Sequence, residues 1–225
     1  MTVFFGNKNS DIVIFFLHGW TTNPNVLLEN MKEKLDSSIY WVFLKAPIKN
    51  NQWFRYGKYD VTQARTNDYI FDLNLNFLYK YELVDCMNYI HEQILLYSDK
   101  KKFIIMGTSQ GATIGFHYLH SNISEHKNFE GAFLHNIAGI YNHILCIKKK
   151  YNYSIIKNCQ INNGDMHSQM DDNYFEHMKN SIKMFNKSRF KRNIHLYVSK
   201  NDFIIPWSST QRMLNELFYI YDCCC

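Results

Sequence analysis

The sequence predicts an α/β fold: a largely parallel sheet with helices on both faces. Three observations carry this expectation. Short apolar runs alternate with helical stretches along the chain, the pattern of strands joined by crossover helices. The first clear run, Asp11 to Leu17, is almost wholly apolar, as a strand covered on both faces must be. A third run, Phe103 to Met106, passes through Gly107-Thr108-Ser109-Gln110-Gly111 straight into a helical pattern.

Taken in order, Asp11 to Leu17 is the first strand. Thr21 to Pro24 supply turn and cap residues, and Val26 to Leu35 reads as a helix with apolar positions at Val26, Leu27, Met31 and Leu35. Tyr40 to Leu44 is the next strand, closed by Ala46-Pro47, because the residue before a proline is pushed out of the helical region. After a long polar loop, Tyr81 to Tyr97 forms an amphipathic helix leading to the Phe103 to Met106 strand, and Thr113 to Leu119 continues the helix behind the serine. Gly131 to Leu134 and Ile194 to Val198 are further strands, and a final helix is expected from about Ser208 to Phe218. There are no internal repeats. The segment Tyr141 to Arg192 stands apart as a long polar stretch of Asn, Lys and Met with no clean period, the expected place for an insertion or lid. The domain reading is therefore one domain over residues 1–225, with a polar insertion or lid at about 141–192 and a cysteine tail at 223–225.

Composition agrees and narrows the function classes. A chain of 225 residues is most simply one domain, able to bury roughly 70% of its unfolded surface. A hydrophobic fraction of 46% and a charged fraction of 20% exclude a disordered or fibrous chain. The richness in Asn, Lys, Tyr, Ile and Phe reads as codon bias and carries no chemistry. The net charge of +5 is mild, and Lys148-Lys149-Lys150 and the Lys187 to Arg192 cluster are read as solvated loop faces. No groove-reading helix or zinc-finger spacing accompanies them, so no nucleic-acid partner is expected.

Ile12 to Leu17 is too short to span a bilayer and lacks a basic flank or small-residue cleavage site, so a cytoplasmic chain is expected. Cys86, Cys146 and Cys159 show no metal-ligand or C-x-x-C spacing and read as reduced thiols. Cys223, Cys224 and Cys225 close the sequence. Terminal cysteines can accept lipid and give peripheral membrane contact, although this tail lacks the aliphatic positions of a C-a-a-X box. A truncated or misread reading frame explains the same tail equally well.

The chemistry centres on Ser109. A serine hydroxyl is a poor nucleophile at neutral pH, and hydrolases present it on a sharp strand-to-helix turn that projects into a cleft. Glycines two before and two after leave room for that turn, and the helix behind it directs the positive end of its dipole at the site where an oxyanion forms. The pentapeptide also fits an ordinary glycine-rich turn; the strand and helix on either side are what favour the elbow.

Several stretches then line up. Phe16-Leu17-His18-Gly19-Trp20, Ala46-Pro47 followed by Trp53-Phe54, Gly107-Thr108-Ser109-Gln110-Gly111-Ala112 and Asn201-Asp202-Phe203-Ile204-Ile205-Pro206 together resemble the acyl-protein thioesterase and carboxylesterase branch (phospholipase/carboxylesterase family) of the α/β-hydrolases. The resemblance covers roughly residues 10–140 and 192–220. It implies Ser109 as the nucleophile, Asp202 as the acid that orients a catalytic histidine, and the backbone N–H groups of Trp20 and Gln110 as the two oxyanion-hole donors. It implies Trp53 and Phe54 as walls of an acyl pocket, a Trp-Phe pair being otherwise ordinary core packing. His18 resembles the family's strand-end histidine, a structural residue.

The chain departs from the family at the base. In α/β-hydrolases the order is serine, acid, histidine, and no histidine follows Asp202. Family members carry a further strand and helix there, which this chain is expected to lack. His195 precedes the acid inside a strand and suits a core or sheet-face role. His167, in Gly164-Asp165-Met166-His167-Ser168, resembles the family's histidine loop out of order and is the preferred base; His135, after the Gly131 to Leu134 strand, is the other candidate, and both also read as loop histidines. Losing the histidine of a protease triad costs on the order of a million-fold in turnover, so the question bears on activity itself. The expected function is a serine hydrolase cleaving carboxylic ester or thioester bonds. By resemblance the substrates are S-acylated proteins, lysophospholipids or small esters, and no metal or organic cofactor is called for. The alternative is a catalytically impaired or truncated relative that still binds acyl groups.

Overall fold

The computed structural model describes residues 1–54, 77–98, 101–121, 127–137, 159–164, 172–185 and 193–199. Its centre is a seven-stranded sheet in the order β1-β3-β2-β4-β5-β7-β6. The strands are β1 (Val3–Gly6), β2 (Ile12–Leu17), β3 (Tyr40–Leu44), β4 (Lys102–Thr108), β5 (Phe129–His135), β6 (Cys159–Gly164) and β7 (Asn193–Ser199). β1 runs antiparallel to β3 at one edge, and every other pairing is parallel.

Alternation along the strands builds two cores. Val13, Phe15 and Leu17 of β2, Val42 and Leu44 of β3, and Phe103 and Ile105 of β4 face one layer, where Ile90 and Ile94 of helix α2 (Phe77–Tyr97) and Ile114 and Leu119 of α3 (Gln110–Ser121) cover them. The intervening Ile14, Phe16, Trp41, Phe43, Ile104 and Met106 face the other layer. There α1 (Pro24–Met31) and α4 (Asp172–Phe185) supply Leu27, Leu28, Met31, Tyr174, Phe175 and Met178. Fully burying each such side chain contributes about 1.5–3 kcal/mol, which is why runs with no polar alternation are stable here. α1 starts two residues before the expected Val26: the Asn23 side chain accepts from the Asn25 N–H, and Pro24 takes the first helical position, where a missing N–H costs nothing. It ends earlier than expected, passing into a short 3-10 turn over Lys32–Lys34.

The segment expected as an insertion or lid over 141–192 contains β6 and α4, a strand and a helix that belong to the sheet and its cover. Tyr174, Phe175, Met178, Ser181 and Ile182 are all buried, a helical spacing of one apolar face. Residues 141–158, the expected helix Ser208 to Phe218, and the expected lack of a last strand and helix lie outside the described residues. No helix among the described residues is long and apolar enough to cross a membrane.

The topology places a crevice. From β2 the chain goes to β3 on one side, then returns past β2 to β4 on the other, and the helices after β2 and β4 cover opposite layers. The loops leaving the carboxyl ends of β2 and β4 therefore diverge, and the space between them is where open parallel sheets hold their ligands.

Candidate active site

Ser109 is the single residue between β4 and α3, half-buried, with φ of 51°. A non-glycine residue in the left-handed region is strained by about 1–3 kcal/mol and persists only where its surroundings hold it. They do: the Ser109 N–H donates to the His135 carbonyl at 2.9 Å, and the Ser109 carbonyl accepts from the Thr113 N–H at 2.9 Å and from its hydroxyl at 3.1 Å. The flanking glycines are explained by close approach. A Cβ on Gly111 would lie 2.1 Å from the Leu17 carbonyl oxygen, and one on Gly107 would lie 2.8 Å from the Ala112 nitrogen. The helix thus starts hard against the end of β2, and this forces the serine outward.

The loop after β2 abuts the elbow. A Cβ built on Gly19 would be 3.6 Å from the Ser109 Cβ, so the Gly19–Trp20 peptide borders the nucleophile. Directly after the serine, the Gln110 N–H opens α3 and has no acceptor one turn back along the helix. The Gly19–Trp20 peptide and the first residue of α3 are thus both next to Ser109. Trp20 keeps its indole partly exposed at 38%.

Behind them lies a buried polar cluster. His18 is 1% exposed; its Nδ1–H donates to the Gly19 carbonyl at 2.7 Å, and its Nε2 accepts from the Ala46 N–H at 3.1 Å. An Nε2 that accepts carries no proton, so this is the neutral Nδ1–H tautomer. Burial pushes its pKa below the usual value, and the Gly19 carbonyl opposes the shift. With both nitrogens engaged, His18 has the structural role its place in the sequence suggests.

Trp53 and Phe54 sit at 0% and 2% exposure within the core layer. Their side chains are closed off from the crevice, and they meet the site through polar atoms: the Trp53 indole N–H donates to the His18 carbonyl at 2.8 Å, and the Cys86 thiol donates to the Trp53 carbonyl. The turn before them is tight. Asn50 and Asn51 have φ of 64° and 53°, Ile48 and Gln52 pair across it, and the Asn51 carbonyl accepts from the Thr21 N–H at 3.1 Å, fastening this turn to the loop that carries Trp20. A cavity of about 440 Å3 opens beside it, lined by Pro47, Ile48, Asn50, Gln52, Asp85 and Cys86.

His135 is fully buried at the end of β5. Its ring packs against Tyr174 at 5.0 Å, and its Nδ1 lies 3.4 Å from the Thr108 hydroxyl. Asp202, His167, Cys223, Cys224 and Cys225 lie outside the described residues. The Gln110 side chain and the Asn51 turn were not singled out from the sequence. The Ser-Gln pair inside the pentapeptide was the available signal for the first, and the Asn50-Asn51 pair, residues that tolerate positive φ, for the second.

A strained serine at a strand-to-helix turn, placed at the topological switch point of a mostly parallel sheet, decides the architecture. The chain has the α/β-hydrolase fold. Solved structures agree. Acyl-protein thioesterase 2 of Zea mays superimposes with a TM-score of 0.53 over 97% of this chain and 98% of its own, at 12% sequence identity. The esterase PE8 gives 0.52 over 97% of this chain and 83% of its own at 9% identity, and YahD, solved with malic acid, gives 0.51 over 97% and 98% at 13%. At such identities the likeness is one of fold. No family model matches the sequence, and no curated protein matches it.

Proposed function

We propose that the protein is a serine hydrolase that cleaves carboxylic ester or thioester bonds. The observation that carries this reading is Ser109 held at φ of 51° where β4 meets α3, a strained backbone that presents its hydroxyl at the crevice. Ser109 Oγ attacks the acyl carbonyl, a base takes its proton, and the oxyanion rests on the amides of Trp20 and Gln110. The alcohol or thiol leaves, and water then releases the acyl group from Ser109. Each well-placed oxyanion donor contributes about 3 kcal/mol to the transition state. Asp202 and His167 are the proposed acid and base, with His135 as the other candidate base. The acyl-protein thioesterase and the esterase of like fold favour S-acylated proteins or small esters as substrates.

Labelling with a fluorophosphonate tests the reading. Adduct confined to Ser109 in the peptide spectrum, and lost in Ser109→Ala, is the expected result. A folded chain that takes no label would instead favour a catalytically impaired or truncated relative.

A further inference from the structure

We propose that the Gln110 side chain is a positioning element for the oxyanion hole, coupling its own backbone donor to that of Trp20 through one buried chain of hydrogen bonds. The inference rests on the hydrolase reading and concerns the same site.

Two donors on separate loops stabilise an oxyanion only if each N–H vector is held to a fraction of an ångström. A peptide unit is planar, so pinning its carbonyl fixes the direction of its N–H. The Trp20 N–H shares a peptide with the Gly19 carbonyl, which accepts from His18 Nδ1 at 2.7 Å and from the Thr22 N–H at 3.2 Å. The Gln110 N–H shares a peptide with the Ser109 carbonyl, which Thr113 holds through both its N–H and its hydroxyl. Each donor is thus pinned from behind.

What joins the two is the carboxamide of Gln110, fully buried. Its Oε1 accepts from the Trp53 N–H at 3.0 Å, and its Nε2 donates to the Phe54 carbonyl at 2.6 Å. The Trp53 indole then donates to the His18 carbonyl at 2.8 Å, one peptide before the one that carries the Trp20 N–H. Ala46 orients the far side of the His18 ring at 3.1 Å. The path runs from one donor, through a side chain, a backbone strip, an indole and an imidazole, to the other. A residue whose only task was to fill space would not need a donor and an acceptor facing a backbone N–H and C=O in register.

Gln110→Glu gives a readout that packing alone would not. Protonated, the carboxyl can accept from Trp53 and donate to Phe54 as the amide does; ionised, it opposes the Phe54 carbonyl. The second-order rate of fluorophosphonate labelling, taken relative to the wild type at each pH, is expected to be close to unity near about pH 5.5 and about tenfold or more lower near about pH 10, above the range to which burial raises a carboxyl. Trp53→Phe, which keeps a ring in the core but removes the indole donor, should slow labelling at all pH values while leaving KM for a small ester unchanged. In both variants, Gln110→Glu being read at the higher pH, amide hydrogen exchange at Gly19 to Thr22 should quicken. A labelling ratio for Gln110→Glu that stays flat with pH overturns the proposal, as does unchanged exchange at Gly19 to Thr22. If the wild type takes no label, the hydrolase reading fails by itself, and the exchange measurement still decides whether Gln110 braces the loop.

Discussion

Ser109 and Ser181 stand in opposite surroundings. Ser181 has what a catalytic serine is supposed to need, a histidine at hydrogen-bond distance: its hydroxyl lies 3.0 Å from His195 Nδ1. Yet both residues are 2% exposed between α4 and β7, and burial pushes the His195 pKa down. Ser109 is half-buried, sits on a strained backbone at the rim of the crevice and lies beside the Gly19–Trp20 peptide. A Ser–His contact inside a core is a satisfied polar pair. Access, backbone presentation and donors for the oxyanion are what set a nucleophile apart.

The sharpest way to break this contrast is to remove each hydroxyl. Ser109→Ala should lower ester turnover on the order of a thousandfold or more, with fluorophosphonate labelling lost. Ser181→Ala should leave turnover within about twofold and instead cost about 1–3 kcal/mol of stability by orphaning a buried partner, read as a lower urea midpoint. Activity lost in Ser181→Ala with the fold intact would reverse the assignment.

The next effect concerns the elbow's tightness. In Gly111→Ala the new methyl meets backbone carbonyls of Leu17 and His18 that cannot give way. In Gly115→Ala it meets side-chain atoms, those of Leu17, Leu134 and Ile105, at 3.1, 3.3 and 3.5 Å. Urea denaturation should show a loss of about 3 kcal/mol for the first and about 1 kcal/mol for the second. Equal losses would mean that the helix is not wedged against β2.

The smallest effect is a pH dependence. His18 and His195 both have folded pKa values held below the ordinary 6.5, each chiefly by burial. As pH falls through about 6.5 the unfolded chain takes up protons that the folded one refuses, so stability is full above that value and declines below it. Thermal midpoints should be level above about pH 7 and fall on acidification. His195→Gln should flatten part of that slope and leave the labelling of Ser109 intact; a slope unaltered in this variant would show that His195 is protonated equally in both states.

Much of the fold was legible because its strands are buried on both faces. Ile12–Leu17 and Tyr40–Leu44 have no polar residue to blur their reading. β1 and β6 were missed for the converse reason. Among the described residues each is an edge strand paired on one side, and the short Val3–Gly6 run and the polar Cys159–Gly164 run carry little apolar signal. Helix α4 did have a period, in Tyr174, Phe175, Met178 and Ile182, but it is embedded among Asn and Lys and reads as loop when the window is long. At the site, the strand-to-helix turn at Ser109 was legible from a pentapeptide, since close backbone approach demands its glycines. The Gln110 brace was not, because its partners are backbone atoms of Trp53 and Phe54, which leave no mark on residue identity.

The bonds behind the oxyanion hole span 28, 35, 56 and 57 residues of chain. Contacts so distant in sequence form only once the loops between them have been closed by the sheet itself. The two made by the Gln110 side chain cannot be made by a fragment that ends before Gln110, or by a chain whose β2 and β4 have not paired. Competence at this centre is therefore tied to completion of the fold. On the proposed reading, a partly folded chain would carry the serine without the means to use it.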